Sequence, residues 1–444
     1  MIGPERISST IQWVLARSSA DQTEVSVVAT DNALTRFANS TIHQNVFSSN
    51  VTLRVRVVIA NQIGIAITNS LEAAALQRAL DHALSNARRT PPNPGFLSLP
   101  EPQLVPEVVG YFPATADCTP GQRAESVGAI CQLAREAGFH AYGALTTATR
   151  ELAVGNSLGH SCFHLGTLSE IKVTVIGDSS AGYAANMAMD VRRLDFEAIG
   201  HEATERCSRG QNPQPIEPAE YAVILAPYAT QDLVFVTTTV GLGARSFREK
   251  TSFVCGNIGK RIMGPNITIH DDGFDGNGIV EPFDCEGVPK RRLDLISNGV
   301  ASGVAYDSYY AGLEKGRRST GHALPPPNTS GPLPRHTFLR PGSATVEEMI
   351  QSTGRGLYVT QLHYTRPIDP IRLTATGMTR NGTFLIEHGE IVRPVKDLRF
   401  TQSYLKAWNE VEAVGQETRL LRMWDQSLQN VPTVKISSFN FTGS

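Results

Sequence analysis

Hydrophobic and polar residues alternate along two stretches of the first half of the chain, and a helical pattern follows each stretch. Residues 24–68 contain five β-branched runs separated by Asn, Ser and Gly, which is typical of an antiparallel meander. Residues 71–87 are rich in Ala, Leu and Gln and predict a helix, with Ser70 as its N-cap. Four shorter runs between 141 and 176 predict a second meander, which leads into a helix predicted over 190–207. We therefore predict two related meander-plus-helix units.

A short apolar run and then a helical pattern occupy the middle of the chain. Tyr221 to Ala226 predicts a buried strand that ends at Pro227, because proline cannot donate a hydrogen bond to a sheet. From Ala229 to Leu242, apolar residues recur at three- and four-residue steps and predict a buried helix. Its many β-branched residues would also allow a strand by propensity alone. No ionisable side chain follows Asp232 within this helix.

The last part of the chain predicts mostly β-structure. Three strong strand patterns occur there, GLYVTQLHYT, TFLIEHGEIV and TVKISSFNFT, and residues 403–414 predict a helix between the last two. The fold class is therefore predicted to be α+β, with two N-terminal antiparallel meander-plus-helix units and a large, mostly-β C-terminal domain, a curled sheet or barrel-like. Proline-rich stretches at 91–106 and 211–218 mark linkers. The predicted domains are 1–100, 107–212 and 219–444.

Composition narrows the class of protein. The chain has 444 residues and a formal net charge of −2, so no basic surplus indicates nucleic-acid binding. The six cysteines form no C-x-x-C pair, which argues against a disulfide framework or a structural zinc site. No apolar run approaches the length of a membrane span, and the first residues do not resemble a signal peptide. We expect a soluble cytoplasmic protein.

Three short motifs suggest chemistry but lack the required spacing. His201-Glu202 begins like a zinc-protease motif, yet no second histidine follows at position 205 or 206. The G-x-S-x-G pattern at 155–159 lies between two predicted strands and indicates a hairpin turn instead of a nucleophile elbow. The acidic loop beginning at Asp271 has Gly and Pro where a calcium loop needs oxygen ligands.

The C-terminal half resembles a known family in the order and spacing of its motifs. These are FDCEGVPKRRLDLISNGVASG at 283–303, RRSTGHA at 317–323, the segment 356–400 with G-x-F-L-I-E-x-G-E-I, and WNEVEAVG at 408–415. Together they resemble the C-terminal domain of the TldD/PmbA family, once called modulators of DNA gyrase. FANSTIHQ and GNSLG fit the first two domains of that family, so the resemblance covers nearly the whole chain.

The resemblance implies which branch of the family to expect. TldD-like chains carry H-E-x-x-x-H on the helix after the strand and proline, together with a cysteine near the C-terminus, and bind one zinc. Matching Val240-Gly241 to the V-G of that motif places Thr237 and Leu242 at the two histidines and Thr238 at the glutamate. The tail after WNEVEAVG contains no cysteine. The chain therefore resembles the PmbA (TldE) branch, for which we expect no catalytic residue and no metal.

Three functions follow as hypotheses. The first is a metal-free, non-catalytic subunit that pairs with a zinc-binding TldD-like chain, or in isolation with a second copy, and acts on unfolded or modified peptides. An extended peptide would align on the strand predicted at Gly356, Leu357, Tyr358 and Val359. The second is an independent peptidase that uses unrecognised ligands such as His160, His164 and His201. The third is a regulator that binds a partner protein such as gyrase. Neither nucleic acid nor a membrane is an expected direct partner.

Overall fold

The N-terminal half forms one antiparallel sheet with helices packed against it. The structure is a computed structural model and describes residues 1–443. The sheet order is β3-β2-β1-β4-β5-β6. The strands are β1 (Gln22–Ala38), β2 (Thr41–Ile59), β3 (Gln62–Thr68), β4 (His140–Asn156), β5 (Ser161–Ile176) and β6 (Ala181–Ala188). The helices are α1 (Pro4–Leu15), α2 (Ala73–Ala87), α3 (Pro113–Ala116), α4 (Pro120–Glu136) and α5 (Phe196–Arg209), with a 3₁₀ turn at Val191–Arg193.

The strands are longer and fewer than the sequence pattern predicts. The five runs predicted within 24–68 form only three strands, because Asp31 pairs with Ser49 inside the β1–β2 ladder instead of turning the chain. The runs of the second meander likewise merge into β4 and β5, and the G-x-S-x-G segment forms the hairpin turn between them, as predicted. The sequence did not predict β6, whose segment AGYAANMA has no β-branched residue. The helix predicted over 190–207 begins only at Phe196, where the Asp195 side chain caps it.

The two predicted units repeat the same arrangement within the shared sheet. Each has a helix, three strands and a second helix, and the two copies join where β1 pairs with β4. A glycine on the outer strand of each copy lets the last helix approach closely. A Cβ added at Gly64 would lie 2.0 Å from the carbonyl oxygen of Ala83, and one at Gly182 would lie 2.0 Å from that of Ala203. The two units thus share one sheet, and the domain boundaries stay a prediction.

The C-terminal half is a large mixed sheet that curls around a helix. Its helices are α6 (Pro227–Gly241), α7 (Ala244–Arg248), α8 (Ser308–Gly312), α9 (Val346–Gln351) and α10 (Tyr404–Asn409). Its strands are β7 (Glu220–Leu225), β8 (Ile269–Asp271), β9 (Leu293–Ser297), β10 (Val300–Ala301), β11 (His336–Leu339), β12 (Arg355–Asp369), β13 (Thr374–Glu387), β14 (Glu390–Val395), β15 (Arg399–Ser403), β16 (Val411–Arg422) and β17 (Leu428–Gly443).

The path of this sheet confirms a curled sheet within an α+β fold. The order is β10-β9-β8-β11-β17-β15-β13-β12-β7, with β14 on β13 and β16 on β17. β7 also pairs with β17, so the sheet curls back on itself, while β8 to β11 extend from β17 and the eleven strands do not form a closed barrel. The helix predicted over 403–414 ends at Asn409, and the chain continues as β16.

Helix α6 lies inside this curl and is buried on nearly every side. It starts at Pro227 and ends at Gly241, close to the prediction, and it contacts β7, β12, β16 and β17. The hydroxyl groups of Thr237, Thr238 and Thr239 donate to main-chain carbonyls one turn earlier, which satisfies these polar groups within the helix. Tertiary packing therefore overrides the strand propensity of its β-branched residues. No helix among residues 1–443 combines the length and hydrophobicity that crossing a bilayer requires.

The F-D-C-E-G-V-P motif at 283–289 holds the two halves together. Phe283 packs against Leu152 and Val154 of β4, and the Gly287 carbonyl oxygen lies 2.8 Å from His160 Nε2. The Asp284 carboxylate accepts main-chain hydrogen bonds from three residues and shapes the turn; the donors are Glu286, Val288 and Ala323. The motif is thus a docking element between the N-terminal sheet and the C-terminal half.

Arg56 is the only cation within ion-pair distance of Glu24 and Glu286, two carboxylates at this junction, among the residues that the structure describes. Its guanidinium lies 2.7 Å from Glu24 and 3.1 Å from Glu286. Asp284 and Asp307 are buried nearby, and we call these five residues the Arg56 cluster. Burial raises the pKa of Glu24 and of Asp284, and burial with the neighbouring Glu286 charge raises the pKa of Asp307 to about 7.

Asp307→Asn is expected to stabilise the protein at alkaline pH. Because the pKa of Asp307 lies above its ordinary value of 3.8, the folded state keeps a proton that the unfolded chain has lost, and stability falls as pH rises from about 4 to 7. Asparagine keeps the cap of α8, where Asp307 accepts from the Tyr310 N–H, without the charge. Urea unfolding at pH 8 should show a gain on the order of 1–3 kcal/mol that disappears at pH 4. Asp195→Asn, at the exposed N-cap of α5, is the control, and an equal gain there would contradict the assignment.

Candidate functional site

A cavity with a volume of about 1020 Å³ lies beside α6. One stripe of the helix, at positions separated by three or four residues, forms its inner wall. The stripe consists of Tyr228, Gln231, Asp232, Phe235, Val236 and Thr239. Since α6 is an otherwise buried and rigid element, these side chains are held in fixed positions at the cavity wall.

Aromatic side chains surround the mouth of the cavity. Tyr364 lies in the second half of β12, and Trp424 lies in the turn between β16 and β17, and both are exposed. The Trp424 ring stands edge-on to the Phe235 ring, with centroids 5.9 Å apart. Arg335 and Arg366 also line the cavity, with Asp425 and His363 beside them. The walls therefore combine apolar and aromatic surface with a few charged groups, as in many ligand sites.

Asp232 is a buried carboxyl group on the inner wall. The residue is 7% exposed, and its Oδ1 accepts a hydrogen bond of 2.9 Å from the Tyr404 hydroxyl group. Burial raises its pKa to about 6, although the neighbouring hydroxyl groups of Thr365 and Tyr404 act in the opposite direction. No lysine, arginine or histidine within residues 1–443 forms an ion pair with it. In the sequence, Asp232 is distinguished only as the last ionisable residue of the helix, and that position was the available signal.

A second polar network secures α6 against α5. The Tyr228 hydroxyl group donates to Glu202 Oε1 over 3.0 Å, and Arg419 Nη1 lies 2.7 Å from Glu202 Oε2. Arg206 forms an ion pair with the same carboxylate and donates to the Tyr183 carbonyl oxygen. Sequence reasoning missed this network, because its members come from four separate elements of the chain, β6, α5, α6 and β16.

The three positions matched to the zinc motif lie in the core, outside the cavity wall. Thr237, Thr238 and Leu242 are each 0% exposed. Thr237 Oγ1 also accepts a hydrogen bond of 2.9 Å from the Trp408 indole N–H, and Leu242 belongs to the main hydrophobic cluster. All three side chains are therefore engaged in packing or in satisfied hydrogen bonds.

These residues do not fit a zinc ion. Zinc in proteins takes imidazole, thiolate or carboxylate ligands, which neither a back-bonded hydroxyl group nor an alkyl chain replaces. Within residues 1–443, no three His, Cys, Asp or Glu side chains are grouped as metal ligands would be. The donor chemistry at positions 237, 238 and 242 therefore supports no metal-dependent step in this chain.

Purified chain is expected to contain no stoichiometric zinc after washing with a chelator. The reason is the donor set just described, in which hydroxyl and alkyl groups stand at the motif positions. Elemental analysis by mass spectrometry would check it. About one zinc per chain would contradict the prediction.

The histidines of the alternative peptidase hypothesis do not form a site. His160 is buried at the junction beside Gly287, and His164 lies on β5 beneath Gly110. His201 is on α5 with a side chain that is 62% exposed, 3.8 Å from Glu197 of the preceding turn. The three histidines lie in three different environments. Within residues 1–443, none of them belongs to a group of side chains that could hold a metal ion.

His201→Ala is expected to leave stability unchanged within about 0.5 kcal/mol, because the side chain lies on the outer face of α5. Thermal unfolding would measure this. Ala203→Val, on the buried face of the same helix, should be clearly destabilising and is the contrast. A comparable loss for His201→Ala would show that the imidazole is engaged.

The segment Gly356–Val359 is not free to pair with a peptide backbone, which corrects that part of the substrate prediction. The segment pairs with β13 on one side and with β7 on the other, so both edges are occupied. Leu357 and Val359 are fully buried, and a Cβ at Gly356 would lie 2.5 Å from the Ala222 carbonyl oxygen. Only the Tyr358 side chain is partly accessible, in a groove beside Arg206. A substrate contact there stays a prediction for Tyr358 alone.

Two family models match the chain. The PmbA/TldA metallopeptidase C-terminal domain matches residues 218–443, and the PmbA/TldA metallopeptidase domain 1 matches residues 23–87. The first of these spans half of the chain.

Relatives and a solved structure agree with these matches. The protein named metalloprotease PmbA from Escherichia coli O157:H7 is 26% identical over 430 residues, which cover 93% of this chain and 91% of that protein. A metalloprotease TldD homolog from Buchnera aphidicola is 27% identical over 199 residues, only 43% of this chain and 40% of the relative. The crystal structure of TldE from Thermococcus kodakarensis has the same fold, with a TM-score of 0.89 at 23% identity over 98% of this chain and 100% of that one. The chain belongs to the PmbA/TldD family of metallopeptidase-related proteins.

Proposed function

We propose that this chain is the metal-free, non-catalytic subunit of a TldD/TldE-type heterodimeric metallopeptidase that acts on unfolded or modified peptides. The single observation that carries the proposal is the core packing of Thr237, Thr238 and Leu242, the positions at which a TldD-like chain would carry its ligands and base. A chain without these groups has no means of activating water at that place.

The lengths over which the relatives align with this chain favour the PmbA (TldE) branch. The relative named PmbA aligns over nearly the whole chain, whereas the TldD homolog from Buchnera aphidicola aligns over less than half of it. The partner would be a TldD-like chain that binds the zinc, and in isolation this chain would pair with a second copy. We expect a lasting interface larger than the roughly 1,200 Å² of weak encounters.

The cavity beside α6 suits an extended peptide. Its volume of about 1020 Å³ and its aromatic mouth leave room for several residues of a flexible chain and exclude a folded domain. In this proposal the subunit contributes a wall that holds the substrate, and the partner contributes the chemistry. The cytoplasmic location stays a prediction.

The test compares each chain alone with the co-expressed pair. Neither a disordered peptide nor a folded protein should be cleaved by this chain, and the pair should cleave only the disordered peptide, faster than the TldD-like chain alone. Native mass spectrometry should give a one-to-one complex. Cleavage by this chain alone, or equal cleavage by the partner without it, would refute the proposal.

A further inference from the structure

Asp232 is a buried carboxyl group that lines an open cavity and has no ion-pair partner among the described residues, whereas several other acidic groups of the fold have one. Glu202 contacts Arg206 and Arg419, Glu286 contacts Arg56, and the carboxylate of Glu281 lies 2.8 Å from Arg150. Asp232, by contrast, forms no ion pair within residues 1–443, and its one protein hydrogen bond comes from the neutral Tyr404 hydroxyl group to Oδ1. Burying an ionised carboxyl without a cation is costly, so a purely structural role would favour a neutral residue at this position.

The second carboxylate oxygen of Asp232 accepts no hydrogen bond from a described residue, and the residue lines the cavity. The arginines of the same cavity are engaged elsewhere. Arg335 donates to the main-chain carbonyl oxygen of Asp425, and Arg366 donates to the Thr365 carbonyl oxygen over 3.1 Å and stacks over the Tyr364 ring. A carboxylate more than nine-tenths buried thus faces an open volume with no protein cation from residues 1–443 in contact with it.

The remaining walls also suit a cation. Phe235, Tyr364 and Trp424 present aromatic faces and edges around the path from solvent to Asp232, and the face of an aromatic ring attracts a positive charge within about 6 Å. An ammonium group has three donors, which can reach the free carboxylate oxygen and neighbouring carbonyl oxygens together. Its pairing with Asp232 would be a charge-assisted hydrogen bond, roughly twice as strong as a neutral one.

We propose that the cavity beside α6 binds a primary ammonium group of its peptide ligand, with the Asp232 carboxylate as the counter-charge and the aromatic mouth as the route to it. The inference rests on the proposed function only in taking a peptide as the ligand. Two sources carry the same chemistry, the α-ammonium group at a peptide N-terminus and the side chain of a lysine. Asp232 would be a specificity-determining residue for where the chain is held, and it takes no part in cleavage.

The test measures binding of three forms of one short disordered peptide, both to the chain alone and to its complex with a TldD-like chain. The forms are a lysine-free peptide with a free N-terminus, the same peptide N-acetylated, and the acetylated peptide with one added lysine. Calorimetry gives the affinities, and a change in tryptophan fluorescence that is lost in Trp424→Phe reports occupancy of the mouth. Acetylation should weaken binding about tenfold or more, and the third form shows whether a lysine side chain restores it.

Asp232→Asn should weaken the binding of the ammonium-bearing peptides by the same factor, and it should leave the affinity for the acetylated, lysine-free peptide unchanged. Asparagine keeps an oxygen that can accept from Tyr404, so the fold should be retained. The matched control is Asp397→Asn, an exposed carboxyl that accepts hydrogen bonds from Thr379 and Thr383 away from the cavity.

The inference would be overturned if the wild-type chain bound all three peptides with equal affinity, or if neither the chain nor the complex bound any of them. This comparison needs no variant. The result is independent of the cleavage assay. A chain that proves catalytic can still hold an ammonium group at Asp232, and a non-catalytic subunit can lack this preference.

Discussion

Replacing Arg56 with methionine is expected to lower the free energy of unfolding by about 3–5 kcal/mol, among the largest effects of any single substitution in this chain. The guanidinium contacts Glu24 of β1 and Glu286 of the docking motif, and it is largely buried. Without it, the carboxylates of the Arg56 cluster remain buried with no cation in contact, so they must either be protonated or take up water. Either response loosens the junction between the N-terminal sheet and the C-terminal half.

The measurement is the urea midpoint of the wild type and the variant at pH 7. Arg54→Met is the matched control, because Arg54 lies two residues earlier on the same face of β2 and has no ion-pair partner among residues 1–443; its loss should stay below about 1 kcal/mol. Adding Glu24→Gln and Glu286→Gln to Arg56→Met should recover part of the stability, since the uncompensated charges are removed. Equal costs at positions 54 and 56 would show that Arg56 acts through its aliphatic stem alone.

Restoring the zinc motif by Thr237→His, Thr238→Glu and Leu242→His is expected to abolish folding instead of creating a protease. Thr238→Glu by itself should cost more than about 3 kcal/mol, because the position is 0% exposed and a glutamate there buries a carboxylate without a cation. The two histidines would add further strain. Both replace fully packed side chains, and Thr237→His also removes the acceptor of the Trp408 indole N–H.

Two substitutions on the same helix separate these causes. Thr239→Glu, one residue further along, lines the cavity and should be tolerated far better, because its carboxylate can reach solvent there. Thr238→Val keeps the shape and removes the hydroxyl group, which already bonds only within the helix, so its cost should be small. Expression of a stable triple variant that binds zinc and cleaves a peptide would contradict both the packing argument and the proposed role.

Much of the fold was accessible from the sequence, and the errors have a common cause. Periodicity identified helices close to α2 and α6, as well as the strand that precedes α6. It divided β1 and β2 into shorter pieces at polar residues such as Asp31 and Asn50, which pair with the neighbouring strand in the ladder. It also extended the helix at 403–414 through Glu410, where β16 begins immediately afterwards. In each case a local pattern was compatible with two structures, and pairing with a distant strand selected one of them.

The candidate site divides in the same way. Once the resemblance had placed the motif, the sequence showed that hydroxyl and alkyl groups occupy positions 237, 238 and 242. It did not show that these side chains are buried in the core, or that the neighbouring stripe of α6 faces a cavity. The edges of Gly356–Val359 are likewise closed by β7 and β13, strands that the sequence does not place beside it.

The sequence alone determined the type of many elements, the family and the chemistry missing from the helix, because each depends on residue identity or on spacing over a few turns. Only the tertiary structure decided which charged groups meet. Arg56 and Glu286 are 230 positions apart, and Tyr404 lies 172 positions from the Asp232 carboxylate to which it donates. Periodicity states which face of a helix or strand is buried, but not what lies against that face. The path of the chain through the curled sheet therefore gives Arg56 its carboxylates and leaves Asp232 without a cation.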